Sequence, residues 1–370
     1  MKKRIIIDAN IPYIRGAFDN VAEVIYLPAK EITRDIAMAA DALIVRTRTR
    51  CDAKLLEGTR VKMVATATIG IDHIDTSYCD AHGIRWTNAP GCNAESVAQW
   101  VGSALAVWAE KCGGSLVGKK IGIVGHGHVG TRVERLARRL GMEVLLNDPP
   151  KALANPEPYV DLMTIARECD VVTFHTPLTY DGEFATYGLA GKEFFEEIIK
   201  KQTPPPHGTS PNSGEELRYP PLIINAARGG IVDEKALLSL LHAPCSMLHA
   251  LCSLLPDFAI DCWDGEPKTN DKLRNRALIA TPHIAGYSAD GKYNASQQVI
   301  AAVAEALDIA PCTIEGLPEW KSTNARDEEL RLLLLDNYNI NNDSDALKAE
   351  PEKFEWFRSN YPVRREIIIF

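Results

Sequence analysis

The residues Lys119–Gly130, KKIGIVGHGHVG, decide the fold. An apolar run from Ile121 to Val124 is too short for a helix and ends in Gly125-His126-Gly127-His128-Val129-Gly130, after which an amphipathic stretch runs from Thr131 to Leu140. That is a buried strand, a tight turn and the start of a helix. Gly125 permits the turn, Gly127 lets backbone approach a pyrophosphate, and Gly130 lets helix and strand pack closely. His128 and Val129 fall where the helix N-terminus offers N–H donors and a partial positive charge to phosphates. The spacing also occurs by chance in glycine-rich turns, so context has to carry it. Asp148 supplies that context at the end of the next predicted strand, Glu143 to Leu146. A carboxylate there can accept from adenosine ribose hydroxyls and repels a 2′-phosphate, which predicts NAD over NADP. A surface-turn aspartate before Pro149 and Pro150 is the plainer alternative.

Working outward, predicted strands Asp170 to Phe174, Leu222 to Asn225 and Phe258 to Asp261 continue the series with helix-compatible segments between them. Upstream, Ile5 to Ile7, Ala42 to Val45 and Val61 to Thr66 read as a second set, followed by a helical pattern from Ala94 to Glu110. Strand and helix alternate, so both sheets should be parallel. The expected fold is α/β, with two doubly wound parallel-sheet domains, 1–92 plus 285–310 and 93–284. The Pro/Gly/Ser-rich run Lys201 to Pro221 cannot hold a helix or a central strand and reads as a surface insertion. After Pro311 a polar tail carries Leu330 to Leu335 and the ending YPVRREIIIF. It is too short for a large core, so its apolar residues should pack on a neighbour or a second subunit, as a small C-terminal dimerisation domain over 311–370.

Composition sets the outer limits. The 370 residues carry a net charge of −8, which favours neither nucleic acid nor an anionic membrane surface. The opening MKKRIIIDAN has an apolar run of only three residues, Ile5 to Ile7, before Asp8, far short of a signal sequence, and Pro and His interrupt the most apolar later stretch. Nine cysteines follow no C-x-x-C or zinc-like spacing. A cytoplasmic protein without disulfides or bound metal is expected.

Three later segments sit at predicted strand ends: NAARGG from Asn225, DCWDGEP from Asp261 and PHIAG from Pro282. Parallel sheets bind ligands at those ends. Oxidising a hydroxyacid needs a cation for the carboxylate, a base for the alcohol proton and a partner to orient the base, and Arg228, His283 and Glu266 meet those needs. Each taken singly is more often a solvated turn, a structural histidine or a loop charge; their shared location raises them.

In this order the motifs resemble the D-2-hydroxyacid dehydrogenase superfamily. DANIPY from Asp8, ATATIGIDHID from Ala65, NAPGCNAESVA from Asn88, NDPP, FHTPL, HIAGYS and the terminal YPVRRE resemble a branch of it that oxidises 4-phospho-D-erythronate on the route to pyridoxal phosphate. The resemblance implies a flavodoxin-like substrate domain, a Rossmann NAD domain and a homodimer, with insertions near 203–220 and 243–256. It places Arg228 on the substrate carboxylate, Glu266 beside the imidazole and His283 as acid/base. Thr47, Thr68 and Tyr287 would face substrate, and Asp148, Thr176, Ala226, Ala227, Arg228, Asp261 and Gly286 would face NAD. Thr47 stands where the family commonly has serine, and keeps the hydroxyl.

For the substrate phosphate, Arg46-Thr47-Arg48-Thr49-Arg50 follows a strand, and extended backbone would turn Arg46, Arg48 and Arg50 to one side, with Arg364 or Arg365 assisting. A solvated basic edge is the alternative. Two other functions fit the motifs: a related dehydrogenase acting on 3-phosphoglycerate or an unphosphorylated acid, and an NAD-sensing scaffold that binds partner proteins.

Overall fold

The computed structural model describes residues 2–202, 219–241, 255–314, 316, 317, 319, 321–362 and 364–369. The expected insertions, 203–220 and 243–256, lie almost wholly outside the described residues. Contacts divide the chain into two compact units, Met1–Glu95 with Tyr287–Lys321 and Val363–Glu366, and Ser96–Gly286 with Ser322–Pro362 and Ile367–Phe370. The tail expected as a domain of its own is thus shared between the two.

Unit 1 is built on strands β1 Lys3–Asp8, β2 Ala22–Leu27, β3 Ala42–Val45, β4 Met63–Thr66 and β5 Arg85–Thr87, in the order β2-β1-β3-β4-β5. Every pairing is parallel, and the order is that of flavodoxin. Successive side chains point to opposite faces, so Ile5, Ile7 and Ile44 meet Val299, Ile300 and Val303 of the helix Ala289–Leu307, while Ile6, Leu43 and Val45 meet Leu55 and Leu56. Burial on both faces explains why these strands read as unbroken apolar runs. The edge strands β2 and β5 escape sequence reading for the converse reason: AEVIYL is mostly half-buried and RWT is three residues long.

Unit 2 carries β6 Lys120–Val124, β7 Glu143–Asn147, β8 Val171–Phe174, β9 Leu222–Asn225, β10 Asp257–Ile260 and β11 Ile279–Ala280, ordered β11-β10-β9-β8-β6-β7 and parallel throughout. Beyond β7, Tyr159 makes a single parallel bridge to Leu146, and Val160 N donates to Leu146 O at 2.8 Å. Counting that bridge as a vestigial third strand gives the dinucleotide-fold order 3-2-1-4-5-6. The chain reverses direction across the sheet between β6 and β8, where ligands of such sheets bind.

The tail helices Asp327–Asn337 and Ile340–Ala349 join the core of this unit. Leu330, Leu334 and Ile340 pack with Val101, Leu105 and Leu136, and Leu347 and Phe354 with Phe258 and Leu273. A Cβ on Gly102 would lie 2.9 Å from Leu334 Cδ1, so the missing side chain is what seats the tail against the helix Ala94–Lys111. Among the described residues no helix is long and apolar enough to cross a membrane, and the described cysteines are all free.

Candidate active site

Gly125 leaves β6 at φ +91°, and a Cβ there would meet His175 O at 2.8 Å and Thr176 N at 2.9 Å. Only glycine lets the turn pass the end of β8. A Cβ on Gly130 would lie 2.1 Å from Gly125 O, so the helix His128–Arg139 is drawn tight onto the turn. Gly127, by contrast, faces open space. An open glycine backbone at a helix N-terminus is the surface a pyrophosphate requires.

The fit extends to neighbouring side chains. Thr176 Oγ1 is buried without a partner among the described residues, next to the turn, and a buried hydroxyl of that kind calls for a ligand group. Asp148 follows β7 directly and caps the helix Pro149–Ala154, accepting from His126 N at 2.9 Å and Lys151 N at 3.2 Å. Its oxygens keep lone pairs for ribose hydroxyls while they brace the phosphate turn. His128 is exposed at the first helical position and Val129 is half-buried beside it. His126, between the first two glycines of the motif, is held by Glu134 Oε2 at 2.8 Å and the Tyr159 hydroxyl at 3.1 Å.

The loops after β9 and β10 are tied together. Asn225 donates to Arg228 O at 3.0 Å and to Cys262 O at 3.1 Å, and Ala226 and Ala227 are buried between. A Cβ on Gly229 would fall 2.0 Å from Trp263 O, so backbone approaches backbone there without room for a side chain. Arg228 is half-buried, with Nη1 donating to Ala227 O at 2.8 Å.

After β11 the chain bends at His283, whose φ of 56° is rare for a residue with a side chain. Asp261 enforces the bend: its buried carboxylate accepts from Ile284 N at 2.8 Å, Ala285 N at 2.9 Å and the Thr281 hydroxyl at 2.6 Å. A residue expected against the cofactor thus also fixes the loop that carries the histidine. His283 Nδ1 lies 2.8 Å from Glu266 Oε2, and Glu266 Oε1 accepts from Trp263 N at 2.9 Å. With Nδ1 engaged, the other ring nitrogen is left for proton transfer.

Burial opposes charge on the His283 ring, but the contacts with Cys262 and Glu266 outweigh it and hold the ring well above the ordinary histidine value. Burial also raises the Cys262 thiol, so a neutral S–H faces the ring and the effective charge is that of Glu266. Burial would raise Glu266 in turn, yet its bond to His283 lowers it. Behind this pair, Glu234 accepts from Asp264 N at 2.8 Å and is pushed up to about 7 by burial. Neither Cys262 nor Glu234 was singled out in the sequence, where a cysteine and a helix-start glutamate carry no signal.

In unit 1 the basic loop is a turn, Thr49 N donating to Arg46 O at 3.1 Å, and not the extended segment expected. The arginines therefore diverge. Arg46 Nε bonds the buried Asp8 at 2.9 Å, Arg50 bonds Asp52 at 3.0 Å, and Thr47 and Arg48 are exposed. Lys292, overlooked in the sequence, stands 5.1 Å over the Tyr287 ring. Burial lowers its pKa first and the nearby Arg46 charge lowers it further. Thr68 Oγ1 bonds Thr66 Oγ1 at 2.7 Å, and Arg365 is paired with the buried Asp290 at 2.9 Å.

The NAD-binding-domain model of the D-isomer specific 2-hydroxyacid dehydrogenases matches residues 96–285. An erythronate-4-phosphate dehydrogenase of Bacteroides fragilis is 43% identical over 98% of this chain and 97% of its own, and one of Porphyromonas gingivalis is 38% identical over 99% and 94%. Among solved structures, NAD-bound 3-phosphoglycerate dehydrogenase of Entamoeba histolytica superposes with a TM-score of 0.63 at 24% identity, covering 83% of this chain and 96% of that one.

Proposed function

The chain belongs to the D-isomer specific 2-hydroxyacid dehydrogenase family, with NAD as its cofactor, and from that premise we propose that it oxidises 4-phospho-D-erythronate at C2 to 3-hydroxy-2-oxo-4-phosphobutanoate, a step toward pyridoxal phosphate. The observation that carries the substrate is end-to-end identity of 43% to a relative bearing that activity in its name. NAD, when bound, accepts the hydride lost from C2. This chain's own residues do the rest. Arg228 pairs with the C1 carboxylate, orienting C2. The free ring nitrogen of His283 takes the C2 hydroxyl proton as the C2–H electron pair leaves and the carbonyl forms. Glu266 stabilises the imidazolium that results, and its bond to Nδ1 keeps the ring in the tautomer that can accept. Arg48 and Lys292 bind the terminal phosphate, with the Arg46 charge near Lys292 adding to the positive field, and Thr47, Thr68 and Tyr287 line the substrate.

A cytoplasmic homodimer is part of the proposal. Leu332 and Trp356 of the tail are 51% and 59% exposed, apolar surface that a second copy would cover, and the described cysteines are unpaired, as in a reducing compartment. The test is NADH formation by the purified protein with 4-phosphoerythronate, 3-phosphoglycerate and unphosphorylated erythronate, with and without an added 2-oxoacid. Preference for 3-phosphoglycerate, or turnover of none of the three, defeats the assignment.

A further inference from the structure

Among the described residues, Cys262, Glu266 and His283 bring a thiol, a carboxylate and an imidazole together, with one donor atom of each within 4.8 Å of the others. The geometry points to a site for a thiophilic divalent cation of the zinc class, whose occupancy switches the enzyme off.

The donors are held before any ion arrives. Cys262 and Glu266 lie on one loop, and Trp263 between them donates its N–H to Glu266 Oε1 at 2.9 Å. His283 comes from the next loop, anchored by Asp261. Tetrahedral zinc with nitrogen, oxygen and sulfur ligands sets those atoms roughly 3.4–3.6 Å apart, so side-chain rotations of about an ångström complete the set. The Cys262 sulfur is buried, and the side chains of His283 and Glu266, 30% and 19% exposed, form the way in. Sulfur with imidazole selects zinc, cadmium or cobalt over magnesium and calcium, which demand oxygen. Three protein ligands leave a fourth position open to water or to a hydroxyacid oxygen.

Binding is an exchange of protons for the ion. The thiol proton of Cys262 and the proton shared by His283 and Glu266 are released to solvent, and three metal bonds form with no change of oxidation state. The ion then occupies the contact through which Glu266 supports the imidazolium, so proton transfer stops. The inhibitory effect rests on the acid/base roles given above; the binding does not.

The experiment uses the full-length protein in chelator-free buffer. Zinc should abolish turnover of 4-phosphoerythronate at concentrations where magnesium has no effect, and EDTA should restore it. In Cys262→Val, the zinc needed for half inhibition, relative to that variant's own uninhibited rate, should rise at least about tenfold. Cobalt(II) added to the wild-type protein should give a thiolate-to-cobalt charge-transfer absorption that is missing in Cys262→Val. If Cys262→Val does not fold, His283→Ala reads the same site, since losing that ligand must weaken the cobalt band. Equal zinc sensitivity of Cys262→Val, a cobalt band that survives removal of Cys262, or no band in the wild type overturns the inference. A cobalt band in a protein that turns over none of the hydroxyacids defeats the proposed substrate and leaves the metal site standing.

Discussion

The His283 imidazole and the Glu266 carboxylate meet at 2.8 Å, and this contact, together with that to Cys262, raises the ring's affinity for a proton against the effect of burial. Oxidation needs the neutral ring. The rate kcat/KM for the hydroxyacid should therefore climb with pH along a limb centred above the ordinary histidine value, and the reverse reduction, which needs the imidazolium, should fall over the same range. In Glu266→Gln the burial remains and the compensating charge is gone, so the limb should move to lower pH while kcat drops about a hundredfold or more. A limb that stays in place in Glu266→Gln would separate Glu266 from the titrating group.

His283→Ala should lose about 10²–10⁴-fold in rate, the usual worth of a general base. NAD affinity should be nearly unchanged, because the glycine turn and Asp148 lie in other loops. Calorimetric titration beside a rate assay checks both. More than about a tenth of the wild-type rate is too much for loss of a sole base.

Asp148→Ser should weaken NAD by roughly 1.5–3 kcal/mol, about ten- to a hundredfold, and relax the rejection of NADP. The loss has two sources, since the same carboxylate braces His126 N and would meet the ribose. An unchanged ratio of NAD to NADP affinity removes Asp148 from discrimination.

The cations of unit 1 should separate into two classes. Arg46→Ala removes the ion-pair partner of a buried Asp8, leaving it only its bonds from Asn10, and should cost about 1–3 kcal/mol of stability, read by thermal unfolding. Arg48→Ala and Lys292→Met should instead raise KM for the phosphorylated acid about tenfold or more and barely alter KM for unphosphorylated erythronate. Equal effects on both acids would place the phosphate elsewhere.

Leu334→Ala should destabilise the protein by about 2–5 kcal/mol, the range for a buried leucine in a packed core, since Leu334 is 2% exposed. Truncation before Pro311 removes it together with Leu330 and Leu347 and should yield aggregate in light scattering. A truncated chain that stays a well-behaved dimer would show the tail to be dispensable for both folding and association.

Much of this was legible in the sequence because central parallel strands and phosphate turns impose strict local demands. Ile5–Ile7 and Ile121–Val124 are apolar without interruption since both faces are covered, and Gly125 and Gly130 are fixed by backbone contacts below 3 Å. The parts that were missed depend on distance along the chain. Lys292 neighbours Arg46 only through the fold, and Cys262 meets His283 only after Asp261 has bent the following loop. The divergence of Arg46, Arg48 and Arg50 turns on one hydrogen bond, from Thr49 to Arg46, that alternation in sequence does not reveal.

The 2.0 Å separation between a Cβ at position 229 and Trp263 O bears on how such loops can be exchanged. The segments bearing Arg228 and Glu266 are not interchangeable modules. A loop transplanted from a relative after β9 would have to bring a glycine at this point or be accompanied by its matching loop after β10. Recombination that cut between them would give chains whose sheet and cofactor turn are intact but whose two reactive loops are forced apart.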